Sequence, residues 1–365
     1  MKICCMIASL RMGGAERQLA GLAAMLKQAG HDVEVLTYRD GDFYEAGLVQ
    51  AGVPHLRIRQ DGSEAKLIRD IASLLKSEGF EVLISFLAGT NIKACLVKRL
   101  YPELRLIVSE RNTNTSFLLH DRLRFALYRR FASQIVSNNY SQTEFIRRHA
   151  PALQGRLYTI PNFTELDRFC PNTAKPPRHD GLFRFVVTAR LSPRKNAIGL
   201  IKAAARCPEI RIDWFGSAKQ DAYYKRCLRA ISAHGLNERF FIHPGSDCPE
   251  NLYRQADAFC LPSFYEGTSN SLAEALACGL PAACSNVSDN PRYVTEGRNG
   301  VLFDPSDTDS IAGALKRMSS LSPEELAGEG ERSRETALSS FSKEAFISRY
   351  EDLLRGPKGG TKSHS

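Results

Sequence analysis

Two glutamates, Glu266 and Glu274, frame the stretch whose residue types are best suited to chemistry. Between them run Gly267, Thr268, Ser269, Asn270, Ser271 and Leu272, mostly small and several bearing hydroxyl or amide groups. The apolar run from Ala258 to Ser263 predicts a buried strand ahead of them. The pattern from Ser269 to Cys278 predicts a short amphipathic helix, with Gly279 as its C-cap and Pro281 blocking continuation. Such a strand–loop–helix junction aims unpaired backbone N–H groups and a positive dipole end at one spot. It can hold an anion, and its side chains can hydrogen-bond a hydroxyl-rich ligand. Spacing alone would equally suit a solvated loop glutamate and a surface helix glutamate, so the surrounding pattern has to decide.

A cationic group stands further upstream, in Ala189-Arg-Leu-Ser-Pro-Arg-Lys-Asn196. Arg190 and Lys195 flank a predicted strand–helix turn. A guanidinium fork and an ammonium point charge at a helix start suit a diphosphate. Near the N-terminus, Arg11-Met-Gly-Gly-Ala-Glu16 places Gly13 and Gly14 where backbone can come close to a ligand. This is not the G-x-G-x-x-G dinucleotide fingerprint, which argues against NAD or FAD. The triplets Asp40-Gly-Asp42 and Asp307-Thr-Asp309 invite a metal reading. A turn explains the first better, and N-capping the second. No metal and no cofactor are expected.

The elements needed to position these groups follow from the hydrophobic pattern. In the first half, strands are predicted at Ile3–Ser9, Asp32–Tyr38, Pro54–Ile58, Val82–Phe86, Arg105–Ser109, Gln134–Ser137 and Leu157–Ile160. Helices alternate with them, the first over Ala15–Ala29. The second half repeats the alternation, with strands at Phe183–Ala189, Ile210–Phe215, Phe240–His243, Ala258–Pro262, Pro281–Ser285 and Val301–Phe303. Aliphatic and β-branched strands alternating with helices imply an α/β fold with two Rossmann-like, doubly wound domains. Residues 161–182, rich in Pro and opened by Pro161-Asn-Phe-Thr, predict a linker. The segment Lys343–Leu354 predicts a final amphipathic helix, its apolar face formed by Phe346, Ile347, Tyr350, Leu353 and Leu354. Open parallel sheets bind ligands beyond the carboxyl ends of their strands, where all the candidates fall.

Taken in order, these motifs resemble the family 4 retaining glycosyltransferases of the GT-B fold. Gly-Gly-Ala-Glu follows the first strand, and Gly30-His-Asp-Val-Glu-Val resembles the entry to the second. Ile160-Pro-Asn resembles the family's interdomain hinge. Arg-Leu-x-x-x-Lys, Phe215-Gly-Ser, Ala256-Asp-Ala-Phe-Cys-Leu-Pro-Ser and the paired glutamates follow in sequence. The resemblance covers about residues 1–355. It implies two domains facing across a cleft: 1–165 binding the acceptor and 166–340 binding a nucleotide sugar. A helix at 341–355 would return to the first domain, ahead of a disordered tail at 356–365. It implies Arg190 and Lys195 on the donor diphosphate, Glu274 on the ribose hydroxyls and Glu266 near the transferred sugar. Gly216 and the stretch Thr268, Ser269, Asn270, Ser271 and Leu272 would also contact the donor, and Gly13 and Gly14 would close over it. Many relatives place a histidine after a mid-sheet strand of the first domain. Here that region reads Val108-Ser-Glu-Arg-Asn-Thr113, leaving Glu110, Arg111, Asn112 or His120 for the role.

The activity so implied is metal-independent, retaining transfer of a hexose or N-acetylhexosamine. The donor would be a nucleotide diphosphate sugar, a UDP-sugar by expectation, and the acceptor a glycan or a lipid-linked sugar of a cell-surface polysaccharide. A nucleotide-sugar 2-epimerase of the same fold and a non-catalytic sugar-nucleotide sensor are the alternatives. The epimerase would need further cleft carboxylates and histidines. The intact Arg190, Lys195, Glu266 and Glu274 set argues against the sensor.

Composition bears on location. No apolar run approaches the roughly 18–20 residues that span a bilayer, and the N-terminus is too quickly polar for a signal peptide. None of the ten cysteines forms a C-x-x-C pair, so reduced, packed thiols in a cytoplasmic protein are expected. The net charge of +9 is uneven. Residues 1–165 hold 22 basic against 16 acidic residues, and 91–130 alone hold nine against three, the whole excess of six. With Leu123, Leu127 and Phe131 turned inward, Arg122, Arg129 and Arg130 would form an outer face. That face would bind the inner surface of an anionic membrane rather than nucleic acid, for which no motif appears.

Overall fold

The computed structural model describes residues 1–114, 116–171, 181–217 and 220–356. Residues 172–180 of the expected linker and 357–365 of the expected tail lie outside the described residues. The chain divides into two compact units, Met1–Asn162 with Phe346–Ser365, and Phe163–Ala345.

The first unit is built on seven parallel strands: β1 (Lys2–Met6), β2 (Asp32–Thr37), β3 (His55–Arg57), β4 (Val82–Phe86), β5 (Arg105–Glu110), β6 (Gln134–Ser137) and β7 (Leu157–Thr159). Their order is β3-β2-β1-β4-β5-β6-β7. Central strands such as β4 are buried along their whole length, as strands covered by helices on both faces must be. The order reverses direction between β1 and β4. Loops leaving the carboxyl ends of strands on either side of such a reversal splay apart and open a crevice.

The second unit repeats the plan with six strands: β8 (Phe183–Thr188), β9 (Ile210–Phe215), β10 (Phe240–His243), β11 (Ala258–Leu261), β12 (Ala282–Ser285) and β13 (Gly300–Phe303). They are ordered β10-β9-β8-β11-β12-β13, so the reversal falls between β8 and β11. Alternation along β9 sends Ile210, Ile212 and Trp214 into a core with Leu200, Ile201 and Leu315. Tyr253, Phe259, Leu276 and Phe341 pack on the other side of the sheet.

Both sheets are therefore α/β and doubly wound, as expected. Several boundaries shift by a residue or two, and two short helices, Glu45–Gln50 and Asn290–Tyr293, were not anticipated. The last helix, Lys343–Arg355, joins the first unit through buried Phe346, Tyr350, Leu353 and Leu354. The final carbonyls of a helix have no partner within it. Here the Arg105 guanidinium donates to Leu354 O (2.6 Å) and Leu353 O (2.5 Å), and Gln134 Nε2 donates to Leu353 O (3.1 Å). Glu351 meets His31 Nε2 at 2.8 Å.

One expectation is corrected. Leu123 does not turn inward; it is 65% exposed. The buried side of the helix Leu119–Phe131 carries Asp121, Arg124, Phe125 and Tyr128 instead. Arg124 pairs with Asp121 (2.7 Å) and lies 3.6 Å from Glu110 of β5. A charge that finds carboxylates inside the unit replaces leucine there. Arg122, Arg129 and Arg130 do remain exposed.

All ten cysteines are free. Burial pushes the Cys5 and Cys95 thiols up to about 12, so they behave as small apolar groups.

Candidate active site

The reversal between β8 and β11 is where the structure gathers most of the candidate residues. After β8 the chain makes a 3-10 turn at Pro193–Lys195, then enters the helix Ala197–Ala204. Asn196 takes the left-handed conformation (φ 55°) and caps that helix by accepting from Gly199 N at 3.2 Å. Its Nδ2 also donates to Pro305 O at 2.8 Å. This fixes the neighbouring Lys195, which is 9% exposed. Arg190 is exposed and forms no hydrogen bond or ion pair among the described residues.

After β11, the loop carries Glu266, which is 5% exposed. It is not the solvated residue that spacing alone allowed. Its carboxylate is bound by the Lys195 ammonium in a short, buried ion pair. Two backbone ties hold the loops around this pair: Phe264 N donates to Arg194 O (3.0 Å), and Glu266 N donates to Ser288 Oγ (3.1 Å). Thr268 is buried beyond it. Ser269 caps the helix Asn270–Ala277 by accepting from Leu272 N at 3.3 Å, with its Oγ 3.1 Å from that of Ser271. Asn270, Ser271 and Leu272 form the first helical turn, so the positive end of the helix faces the loop. Gly279, left-handed at φ 72°, ends the helix.

Glu274 is 6% exposed and is not a surface helix residue. Tyr253 OH donates to its Oε2 at 3.0 Å and lies 2.6 Å from Thr188 Oγ1 at the end of β8. Burial, and secondarily the Glu274 charge, holds the Tyr253 phenol far above its ordinary range, so it stays a donor. Gly216 follows β9, where a Cβ would sit 2.0 Å from Ala189 O. Only glycine lets β9 come this close to the Arg190 turn.

Gly13 and Gly14 lie at the other reversal, in the first unit, where Gly13 caps and Gly14 opens the helix Gly14–Gln28. Of the four first-domain alternatives, two are already engaged within their own unit. Glu110 is 1% exposed and accepts from Tyr128 OH. Arg111 is 8% exposed, stacks 3.8 Å over Phe86, and donates to Asn162 Oδ1 (3.0 Å) and Tyr350 OH (3.4 Å). Asn112 and His120 are exposed. Asp307 caps its helix by accepting from Asp309 N at 2.8 Å. Tyr253 and Ser288 were not foreseen, because partners 21 and 22 residues away leave no local pattern.

A parallel α/β sheet with a buried Lys195–Glu266 pair and an exposed Arg190 at its reversal belongs to the doubly wound class, whose ligand crevices lie at strand ends. Residues 172–335 match the family described as Glycosyl transferases group 1, and residues 12–168 match Glycosyltransferase Family 4. The chain belongs to the family 4 glycosyltransferases. It is 33% identical over 129 residues to O-antigen chain mannosyltransferase B of Escherichia coli, covering 33% of either chain. It is 27% identical over 178 residues, 45% of either chain, to the Escherichia coli UDP-Gal:α-D-GlcNAc-diphosphoundecaprenol α-1,3-galactosyltransferase. The matches thus span a third to about half of these curated relatives. Anabaena HepE, solved with UDP, superposes with a TM-score of 0.85 over 97% of this chain and all of its own, at 19% identity. That likeness shows the GT-B fold.

Removing one partner of a buried ion pair strands the other charge. Lys195→Met and Glu266→Gln are each expected to lower unfolding stability by about 3 kcal/mol. The double variant should lose about 1–3 kcal/mol less than the sum. Chemical denaturation of the three variants checks this; simple additivity would show that the pair is not coupled.

Proposed function

We propose that this chain transfers a hexose or N-acetylhexosamine from a UDP-sugar to a hydroxyl of a glycan or lipid-linked acceptor, with retention of configuration and without a metal. The observation that carries the reading is the buried Lys195–Glu266 pair, with exposed Arg190 on the same loop after β8 as Lys195. HepE was solved with UDP, and the galactosyltransferase relative is named for a UDP-sugar and a diphosphoundecaprenol acceptor.

In this reading Arg190 and Lys195 take the negative charge that builds on the departing diphosphate, the place a metal ion would otherwise occupy. Pairing with Glu266 keeps the desolvated ammonium in position before the donor arrives. The positive end of the helix Asn270–Ala277 favours the phosphate. Glu274, oriented by Tyr253, accepts from the ribose hydroxyls. The acceptor hydroxyl attacks the anomeric carbon from the face the leaving group vacates. Its proton passes to the departing diphosphate oxygen, the C–O bond to that oxygen breaks, and the nucleoside diphosphate leaves. Glu266 supports the positive charge that develops on the sugar ring.

Proton NMR of the product formed from a UDP-α-sugar in the presence of EDTA tests this. An α-linked product at undiminished rate is expected, with Arg190→Ala slower by about 2–4 kcal/mol in barrier. A β-linked product, or activity restored only by added metal, would overturn the mechanism.

We also propose a reversible attachment to an anionic membrane surface. Exposed Arg122, Arg129 and Arg130 share a helix with exposed Leu119 (82%) and Leu123 (65%). Each basic residue near an anionic leaflet contributes about 1 kcal/mol. Among the described residues no helix is long and apolar enough to cross a membrane. Binding to anionic vesicles should fall steeply with salt and vanish in a triple Arg→Glu variant. Equal binding to neutral vesicles would contradict it.

A further inference from the structure

The first unit contains a cavity of about 600 Å³ that the transfer chemistry above does not use. It lies at the carboxyl ends of β1, β2 and β3, and its wall carries Arg11, Arg39, Arg57 and Arg59. Asp40 and Asp61 also line it, and Glu45 pairs with Arg57, so the wall keeps a positive balance of one (four minus three).

The four arginines are not equivalent. Arg57 is neutralised by Glu45, 2.5 Å away, whose other oxygen is 3.0 Å from His55 Nδ1. Among the described residues Arg11 bonds a backbone carbonyl, Nε to Asp40 O at 2.9 Å, and forms no ion pair. Gly41, at φ 135°, lets the loop after β2 fold onto it; a Cβ there would sit 2.3 Å from Arg11 Cγ. Arg59 has no side-chain hydrogen bond or ion pair among the described residues. Arg39 has none either, and the Glu64 carboxylate whose titration it influences is paired with Lys93 at 2.8 Å. Exposed Arg39 and Arg59, with Arg11, thus converge on one concave site with donors to spare.

We infer that this cavity binds a phosphate or diphosphate group carried by the acceptor, with Arg39 and Arg59 as its principal contacts. The inference rests on the glycosyltransferase reading, which assigns the donor diphosphate to the second unit and leaves this site for the other substrate. Guanidinium forks match tetrahedral phosphate oxygens. Three arginines outside any ion pair among the described residues leave several N–H donors directed at one ligand.

Hydrogen exchange on the full chain, with inorganic pyrophosphate as probe, tests it. Amides in 37–61 should slow, and Arg39→Gln with Arg59→Gln should weaken that protection roughly tenfold per arginine. Protection in 189–196 should not change in this variant. Unchanged melting would show that the variant is folded. Slowing confined to 189–196, or equal slowing of 37–61 in the variant, overturns the inference. Slowing of 37–61 without 189–196 supports it and counts against the donor assignment instead. Phosphatidylcholine vesicles carrying a prenyl diphosphate, compared with pyrophosphate at equal phosphate, identify the source. Stronger protection by the vesicles marks a membrane-borne acceptor, and stronger protection by pyrophosphate marks a soluble one.

Discussion

The buried ion pair between Lys195 and Glu266 is the constraint on which the second unit depends. Removing an ammonium and a carboxylate from water costs several kcal/mol per ion, recovered only if the two meet in close, well-bonded geometry. That geometry needs the ends of β8 and β11 side by side, which their parallel pairing supplies at Ala258 and Phe185. It also needs two loops that cannot wander. The left-handed Asn196 fixes one, and the bond from Glu266 N to Ser288 fixes the other. Glu274 is held by similar logic one layer deeper, through Tyr253 to the last residue of β8.

The first unit uses buried charge differently. Glu110, Tyr128, Arg124 and Asp121 form an internal network, extended by Asn91 to Ser85 and Ser109. Arg111 and Arg105 then tie β5 to Tyr350 and to the end of the last helix. Arg105, Arg111 and Arg124, three of the nine basic residues between 91 and 130, are thus structural fasteners with defined partners. The arginines left without such partners, at the ends of β2 and β3 and along the helix Leu119–Phe131, are the ones free to meet ligands or a membrane.

Strands such as Val82–Phe86 and Ile210–Phe215 were legible to the residue, because burial on both faces demands unbroken or alternating apolar runs. The helix Glu45–Gln50 was not: six residues containing a glycine carry too little periodicity. The inward face of Leu119–Phe131 was misread because periodicity counts apolar residues and cannot see that Arg124 has Glu110 and Asp121 as buried partners. At the candidate site, the residue types were visible at Glu266, Glu274, Arg190 and Lys195. Their burial and the direct contact between Lys195 and Glu266 were not, since that contact joins residues 71 positions apart. Gly216 stood out only as part of a motif; its steric reason is the backbone of Ala189, which only the folded sheet brings near.

Thermal melting across a panel of nucleotide sugars measures the central claim, that the β8–β11 reversal holds a nucleotide diphosphate sugar through its cationic groups. A ligand that binds only the folded chain at a hundred times its Kd stabilises it by about 2.7 kcal/mol, a shift of several degrees. One donor should raise the melting temperature selectively, and Arg190→Ala, a change at an exposed residue, should abolish most of that shift while leaving the unliganded melt in place. No shift with any nucleotide sugar, or an equal shift in the variant, would contradict the account.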